Sequence, residues 1–100
     1  MIIAVPKEIF LGENRVALVP DTASKLIKRG FEIIVEKGAG VNAGFTDEKY
    51  EQAGAKLISD LYQLYSLADI VLKVQRPAGH PDLKKNEFDL MKKGTLLITF

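Results

Sequence analysis

Residues 2–20 read IIAVPKEIFLGENRVALVP, and this stretch decides the fold. Its first part, Ile2–Val5, is continuously apolar, which is typical of a parallel strand that is covered on both faces. Pro6 ends the strand, and the next helical pattern begins only at Pro20. The connection between them has about fourteen residues, whereas connections in compact α/β units usually have ~2–6. Such a length predicts a functional loop at the end of the first strand.

The long loop carries Glu8, Glu13 and Arg15 among apolar residues. Because ligands bind outside the carboxyl ends of the strands in open parallel sheets, we expect this loop to present charge at that edge. Arg15 is the predicted functional residue of this loop. The alternative is that Arg15 pairs with Glu8 or Glu13 and pins the loop to itself.

Further apolar runs alternate with helical patterns along the rest of the chain. The predicted strands are Ile2–Val5, Phe31–Glu36, Ala55–Ile58, Ile70–Val74 and Thr95–Phe100. The predicted helices begin at Pro20, Thr46, Ser59 and Asn86, and the last of them is predicted to extend to Lys93, before Gly94. This alternation predicts an α/β fold with a mostly parallel open sheet of about five strands, helices on both faces, and the first half of a Rossmann-like domain. The third strand is short, as expected for a strand at the edge.

Composition excludes several classes of protein. The net charge of +1 gives no electrostatic reason to bind nucleic acid. There is no cysteine, and the single histidine, His80, has no second histidine to share a metal, so we expect no metal site and a solvated loop histidine. No apolar run reaches the ~20 residues of a membrane span. The chain closes on an apolar strand, so residues 1–100 are expected to form one α/β unit of a longer protein.

A second cation joins Arg15 at the carboxyl edge of the predicted sheet. Lys73 lies near the end of Ile70–Val74, in a run that is otherwise apolar. An unpaired ammonium is costly to bury, so Lys73 must reach solvent or find a partner. Arg15 and Lys73 together are candidates for holding a small carboxylate or a phosphate. The alternative is that Lys73 extends its stem to the surface while Arg15 pins its own loop.

Three glycines after the second strand suggest a nucleotide loop at first sight. Gly38 and Gly40 follow the strand, but Gly44 comes one residue late for the dinucleotide fingerprint. The next helix begins at Thr46 and is short, so it does not open directly beneath a phosphate. A turn that needs positive φ at one or two positions is the favoured interpretation. Tyr65, on the third predicted helix, is assigned to packing.

With the long loop and the Lys73 strand in view, the chain resembles the N-terminal region of alanine dehydrogenases and of the NAD(H)-binding alpha subunit of proton-translocating nicotinamide nucleotide transhydrogenase. The resemblance extends over essentially the whole chain. The matching segments are Ile3–Glu8, Glu13–Ala17, Gly30-Phe31, Val35-Glu36, Gly38–Gly40, Ala53–Ala55 and Ala68–Val74.

The resemblance leaves two activities open. The run KVQRP, Lys73–Pro77, is closer to transhydrogenase, because alanine dehydrogenases tend to have an acidic residue before the proline. In alanine dehydrogenases, the residues that match Arg15 and Lys73 hold the substrate carboxylate. Transhydrogenase has these positions without an amino-acid substrate. Arg15 and Lys73 are therefore the cleft candidates, no residue is assigned a catalytic role, and the residues that bind the cofactor are expected beyond Phe100.

The favoured relative, the transhydrogenase alpha subunit, implies hydride transfer between NAD(H) and NADP(H) coupled to proton translocation. NAD(H) would belong to the intact protein, whereas residues 1–100 alone are expected to bind no cofactor and to be catalytically incomplete. The implied partners are the NADP(H)-binding and membrane subunits and a second copy of the chain, on the cytoplasmic side of the membrane. The alternatives are the N-terminal part of an alanine dehydrogenase, which deaminates alanine to pyruvate with NAD, and a free-standing anion-binding module.

Overall fold

A computed structural model of the protein describes residues 1–83 and 85–100. These residues form five strands that alternate with four α-helices. The strands are β1 (Ile2–Val5), β2 (Glu32–Glu36), β3 (Lys56–Ile58), β4 (Ile70–Lys73) and β5 (Leu96–Thr99). The helices are α1 (Pro20–Lys28), α2 (Asp47–Gln52), α3 (Leu61–Leu67) and α4 (Glu87–Leu90), and a short 3₁₀ turn covers Val41–Ala43.

The strands make one sheet in the order β3-β2-β1-β4-β5, and all four pairings are parallel. The predicted α/β class and the short edge strand β3 are thereby confirmed. The strand order reverses between β1 and β4, which are neighbours although helices and two strands separate them in sequence. In open α/β sheets this reversal point is where a crevice opens at the carboxyl ends of the strands.

The core lies on both faces of the sheet, because successive strand residues point to opposite sides. In β1, Ile3 and Val5 pack in one buried cluster with Ala23 of α1 and Tyr50 of α2. Ala4, between them, packs in a second cluster on the other face with the helix α3. This arrangement confirms helices on both faces. Among the described residues, no helix has the length and apolar character needed to cross a membrane.

Two helix ends differ from the predicted ones. The cap of α3 is Asp60 rather than Ser59, because the Asp60 carboxylate accepts the Tyr62 N–H at 3.0 Å. The last helix, predicted as Asn86–Lys93, is only one turn long, since the backbone at Met91 is already extended with ψ of 139°. Asn86 is its cap, as predicted, and its side chain accepts the Phe88 N–H at 2.9 Å.

Candidate functional site

The loops that follow β1 and β4 meet at the carboxyl edge of the sheet, and Glu8 joins them. One oxygen of its carboxylate lies 3.2 Å from Lys73 Nζ and accepts the Gln75 N–H at 3.0 Å. The other oxygen accepts the Val74 N–H at 3.0 Å. These contacts arise because β1 and β4 are adjacent parallel strands, so their loops leave the sheet side by side. Glu8 therefore fixes the start of the loop after β4.

Lys73 is completely buried and has a second carboxylate partner. Its Nζ lies 3.2 Å from Glu87 Oε2, and both side chains have 0% exposure. The Tyr65 hydroxyl donates to the same Glu87 oxygen at 2.9 Å. The alternative in which Lys73 extends to the surface is wrong, and the structure gives the reason. Two carboxylates face the ammonium inside the protein, which offsets the cost of burying it.

Arg15 lies in the long loop with its side chain 71% exposed, and it pairs with Glu13, which was one of the two alternatives drawn from the sequence. The pair is bidentate, with Arg15 Nε and Nη2 donating to the two Glu13 oxygens at 3.0 and 2.8 Å. Gln75 Nε2 also donates to Glu13 Oε1, at 2.7 Å. The Arg15 side chain, together with Gln75, lowers the pKa of Glu13 to about 2. In turn, the hydrogen bond to Glu13 raises the pKa of Arg15.

The two cleft candidates thus belong to one connected network, although they do not form a pair. Arg15 contacts Glu13, Glu13 contacts the side chain of Gln75, and the backbone of Gln75 contacts Glu8. Glu8 then contacts Lys73. The network extends from the exposed loop to the buried end of β4. Arg15 and Lys73 are therefore held in place by carboxylates of this chain, and this arrangement is more consistent with a fixed side of a cleft than with two free cations.

Burial shifts the pKa of further groups at this edge. Burial raises the pKa of the Tyr65 hydroxyl well above its ordinary range, and the adjacent Glu87 carboxylate raises it further. Tyr65 is thus the hydrogen-bond donor to Glu87. Burial also raises the pKa of Glu36, at the end of β2, although its hydrogen bond from the Lys7 N–H works in the opposite direction.

The glycine segment after β2 packs against the side chain of Tyr50. Gly38 and Gly44 have φ of 82° and 90°, which confirms a turn that requires positive φ. A Cβ on Gly40 would lie 2.7 Å from the Tyr50 ring and 2.8 Å from its hydroxyl oxygen. The Tyr50 hydroxyl donates to the Leu18 carbonyl at 2.7 Å. Gly40 therefore makes room for Tyr50, which anchors the end of the long loop.

The loop after β4 also carries Arg76 and His80. His80 is half-buried rather than fully solvated, and its Nδ1 accepts the Asp82 N–H at 3.2 Å. Within residues 1–83 and 85–100, no group of three or more acidic or histidine side chains is arranged to hold a metal ion. The Arg76 guanidinium lies 4.7 Å from the centre of the Phe10 ring, a cation–π contact that ties this loop to the long loop.

Sequence reasoning missed two members of the network, Glu87 and the hydroxyl of Tyr65. Glu87 falls in an irregular stretch next to Phe88, and a helical pattern would place the phenylalanine inward and the glutamate outward. The one signal in the sequence was Lys73 itself. A lysine in a buried strand requires carboxylate partners, but nothing in the sequence says which ones.

Comparison with known proteins places this geometry in a family. The family profile "Alanine dehydrogenase/PNT, N-terminal domain" matches residues 4–100. The chain is 47% identical over 98 residues to the first part of the NAD(P) transhydrogenase alpha subunit of Rhodospirillum rubrum, covering 98% of this chain and 25% of that protein. It is 45% identical over 100 residues to alanine dehydrogenase of Bacillus subtilis, covering 100% of this chain and 25% of that protein.

The fold agrees with a solved relative. The crystal structure of transhydrogenase from Sinorhizobium meliloti superimposes with a TM-score of 0.86 at 32% identity, over 99% of this chain and 27% of that chain. The present chain thus spans about a quarter of the length of the relatives it matches. Since the profile covers nearly every residue, the chain belongs to the alanine dehydrogenase/PNT N-terminal domain family.

Proposed function

We propose that this chain is the N-terminal portion of an NAD(P) transhydrogenase alpha subunit. In the whole protein, NAD(H) on this subunit exchanges hydride with NADP(H) on a partner subunit, and the exchange is coupled to proton translocation. Residues 1–100 supply one wall of the cleft that faces NAD(H). They form the beginning of a two-domain subunit whose cofactor-binding residues lie beyond Phe100.

The observation that carries this proposal is the engagement of Arg15 and Lys73 inside the network. Arg15 is held in a bidentate pair by Glu13, and Lys73 is enclosed by Glu8 and Glu87. A cleft that grips the carboxylate of an amino acid needs cations with open hydrogen-bonding positions. Here Arg15 Nε and Nη2 and Lys73 Nζ are directed at carboxylates of this chain. This favours a wall that shapes the electrostatics around a cofactor over an amino-acid site.

Gln75 gives a second argument. It belongs to the run KVQRP, which resembles transhydrogenase, and its side chain donates to Glu13 at 2.7 Å. The same carboxylate that holds Arg15 is therefore held by Gln75. The residue before the proline, where alanine dehydrogenases tend to have an acidic residue, is Arg76, and its guanidinium packs on the Phe10 ring of the long loop. Gln75, from the transhydrogenase-like run, and Arg15 are thus held by the same carboxylate, that of Glu13.

The proposal extends to the surroundings of the protein. The partners are an NADP(H)-binding subunit, a membrane subunit and a second copy of this chain. The subunit lies on the cytoplasmic side of the membrane and is attached through those partners. Support comes from the relative in Rhodospirillum rubrum, whose name describes it as a portion of an alpha subunit.

A direct comparison of two activities tests the proposal. The full-length natural protein, combined with its partner subunits, is assayed for hydride transfer from NADH to an NADP⁺ analogue. The same preparation is assayed for NADH formation from NAD⁺ and L-alanine. We expect the first activity and not the second. Alanine-dependent formation of NADH would instead support the alternative, which has its own support in the 45% identity to the alanine dehydrogenase of Bacillus subtilis.

A further inference from the structure

Helix α4 buries a charged side chain and exposes the apolar one next to it, which is the reverse of the usual arrangement. Its first residue, Glu87, has 0% exposure, while the adjacent Phe88 is 65% exposed. A glutamate is seldom fully buried unless it is paired, and a phenylalanine is usually the residue that faces the core. Where a local rule is broken in this way, a functional reason is the first explanation to examine.

The contacts of Glu87 show what its burial achieves. Its Oε2 accepts from the Tyr65 hydroxyl at 2.9 Å and lies 3.2 Å from Lys73 Nζ. Its Oε1 accepts the Ala78 N–H at 3.2 Å. All three partners donate, so both oxygens of the Glu87 carboxylate act as hydrogen-bond or ion-pair acceptors. Tyr65 is itself completely buried on α3, so it provides a rigid support for Glu87.

Lys73 transmits this support across the edge of the sheet. Its Nζ lies between Glu87 and Glu8, at 3.2 Å from each. Glu8 in turn accepts the Val74 and Gln75 amides, which Glu87 does not contact. A change at Glu87 can therefore reach these amides through Lys73 and Glu8, and separately through the loop backbone from Ala78, whereas a change at Tyr65 has no direct contact with Ala78. The same path continues through the Gln75 side chain to Glu13 and Arg15 at the cleft.

We propose that Glu87, supported by Tyr65, is a positioning residue for the cleft: it holds Lys73 against Glu8 and so fixes the two loops that carry Gln75 and Arg15. The proposal rests on the proposed function, because it assigns these loops to the wall that faces NAD(H). Glu87 has no chemical step of its own. Glu87 acts on these loops through its contact with the Lys73 ammonium, which in turn contacts Glu8.

Hydrogen exchange of individual backbone amides in the full-length protein tests the proposal without an activity assay. The variants are Glu87→Gln and Tyr65→Phe. The matched control is Asp89→Asn, which makes the same carboxylate-to-amide change on an exposed residue of α4. The amides of Val74 and Gln75 report on Glu8, whereas the Ala78 amide reports directly on Glu87.

We expect Glu87→Gln to accelerate exchange at Val74 and Gln75 as well as at Ala78, by about tenfold or more, as when a charge-assisted hydrogen bond is lost. Tyr65→Phe should act in the same direction by a smaller factor, and Asp89→Asn should leave all three amides unchanged. Faster exchange at Ala78 alone would overturn the proposal, because Glu87 would then pin only its own loop. If Glu87→Gln does not fold, unchanged Val74 and Gln75 amides in Tyr65→Phe would overturn it.

A second measurement separates this proposal from the proposed function. In the transhydrogenation assay, Glu87→Gln should lower kcat while the KM for NADH stays near the wild-type value, since the residues that bind NAD lie beyond Phe100. A raised KM with unchanged kcat would contradict the positioning role. If the wild-type protein shows no transhydrogenation, the proposed function fails, and the exchange of Val74 and Gln75 still decides the role of Glu87.

Discussion

Lys73 and Glu8 are 65 residues apart in the sequence, and their side chains meet at 3.2 Å in the structure with 0% and 2% exposure. The contact connects the end of β4 to the loop after β1 at the point where the strand order reverses. A buried ammonium and a buried carboxylate are each costly alone, so each requires the other. The carboxyl edge of the sheet is therefore fixed by charge as well as by packing.

Removing the Glu8 carboxylate should destabilise the protein strongly. Glu8→Ala deprives the Val74 and Gln75 N–H groups of their acceptor and leaves Lys73 with Glu87 as its remaining carboxylate partner. Breaking a buried ion pair costs ~3–5 kcal/mol. Urea unfolding of the wild type and the variant measures the difference. The control is Glu51→Ala, an exposed glutamate on α2, which should stay within about 0.5 kcal/mol of the wild type. Equal stability of the two variants would contradict the buried network.

Removing Arg15 should have little effect on folding. Its side chain is 71% exposed, and exposed ion pairs contribute little to stability because solvent screens them. We expect the urea midpoint of Arg15→Ala to lie close to the wild-type value. Glu13→Ala should shift the midpoint more, since the Glu13 side chain is 6% exposed and also holds Gln75. A larger loss in Arg15→Ala than in Glu13→Ala would show that Arg15 itself pins the loop.

Gly40 should not tolerate a methyl group, and the reason lies in packing rather than in phosphate binding. The Cβ of alanine would lie 2.7 Å from the Tyr50 ring, and such overpacking typically costs ~1–3 kcal/mol. Thermal or urea unfolding of Gly40→Ala measures the loss. Gly79→Ala is the control, because an added Cβ there meets nothing within 4 Å. If Gly40→Ala is as stable as the control, Tyr50 does not occupy the glycine turn as described.

Glu36 should make stability depend on pH. Burial raises its pKa above the ordinary value of 4.5, so the folded state binds its proton more tightly than the unfolded state. The resulting contribution to stability is fully present below pH 4.5 and is lost as the pH rises through the folded-state pKa. Glu36→Gln removes this dependence, so the variant should gain stability relative to the wild type as the pH rises to neutrality.

Unfolding curves at a series of pH values test this prediction. The matched control is Glu32→Gln, which makes the same change at an exposed position of the same strand, β2. Its curve should run parallel to that of the wild type. A stability difference between Glu36→Gln and the wild type that is independent of pH would contradict a raised pKa at Glu36.

Most of the fold could be predicted from the sequence because its signals are local. Continuous apolar runs indicated the strands, and capping residues marked the helix starts, with Asn86 correct and Ser59 one residue away from the true cap, Asp60. The length of α4 was overestimated because Gly94 was interpreted as the residue that stops the helix, whereas the backbone is already extended at Met91. Strand order was not accessible, since pairing depends on contacts distant in sequence.

The candidate site was only partly predictable for the same reason. Arg15 and Lys73 stood out by residue type and position, and the pair of Arg15 with Glu13 is a local contact two residues apart. The partners of Lys73 are Glu8, distant in sequence, and Glu87, on a helix whose pattern points the other way. Tyr65 was correctly assigned to packing, but its hydroxyl bond to Glu87 depends on tertiary structure.

The central claim is that Arg15 and Lys73 are paired with carboxylates of this chain and do not bind an amino-acid substrate. The most direct measurement is a titration of L-alanine, and separately of pyruvate, into the full-length protein with NAD⁺ present. The ¹⁵N resonances of Arg15 Nε and Lys73 Nζ are followed. We predict that neither resonance shows a saturable shift. A saturable shift of both resonances with either compound would contradict the claim and assign the cleft to a carboxylate substrate.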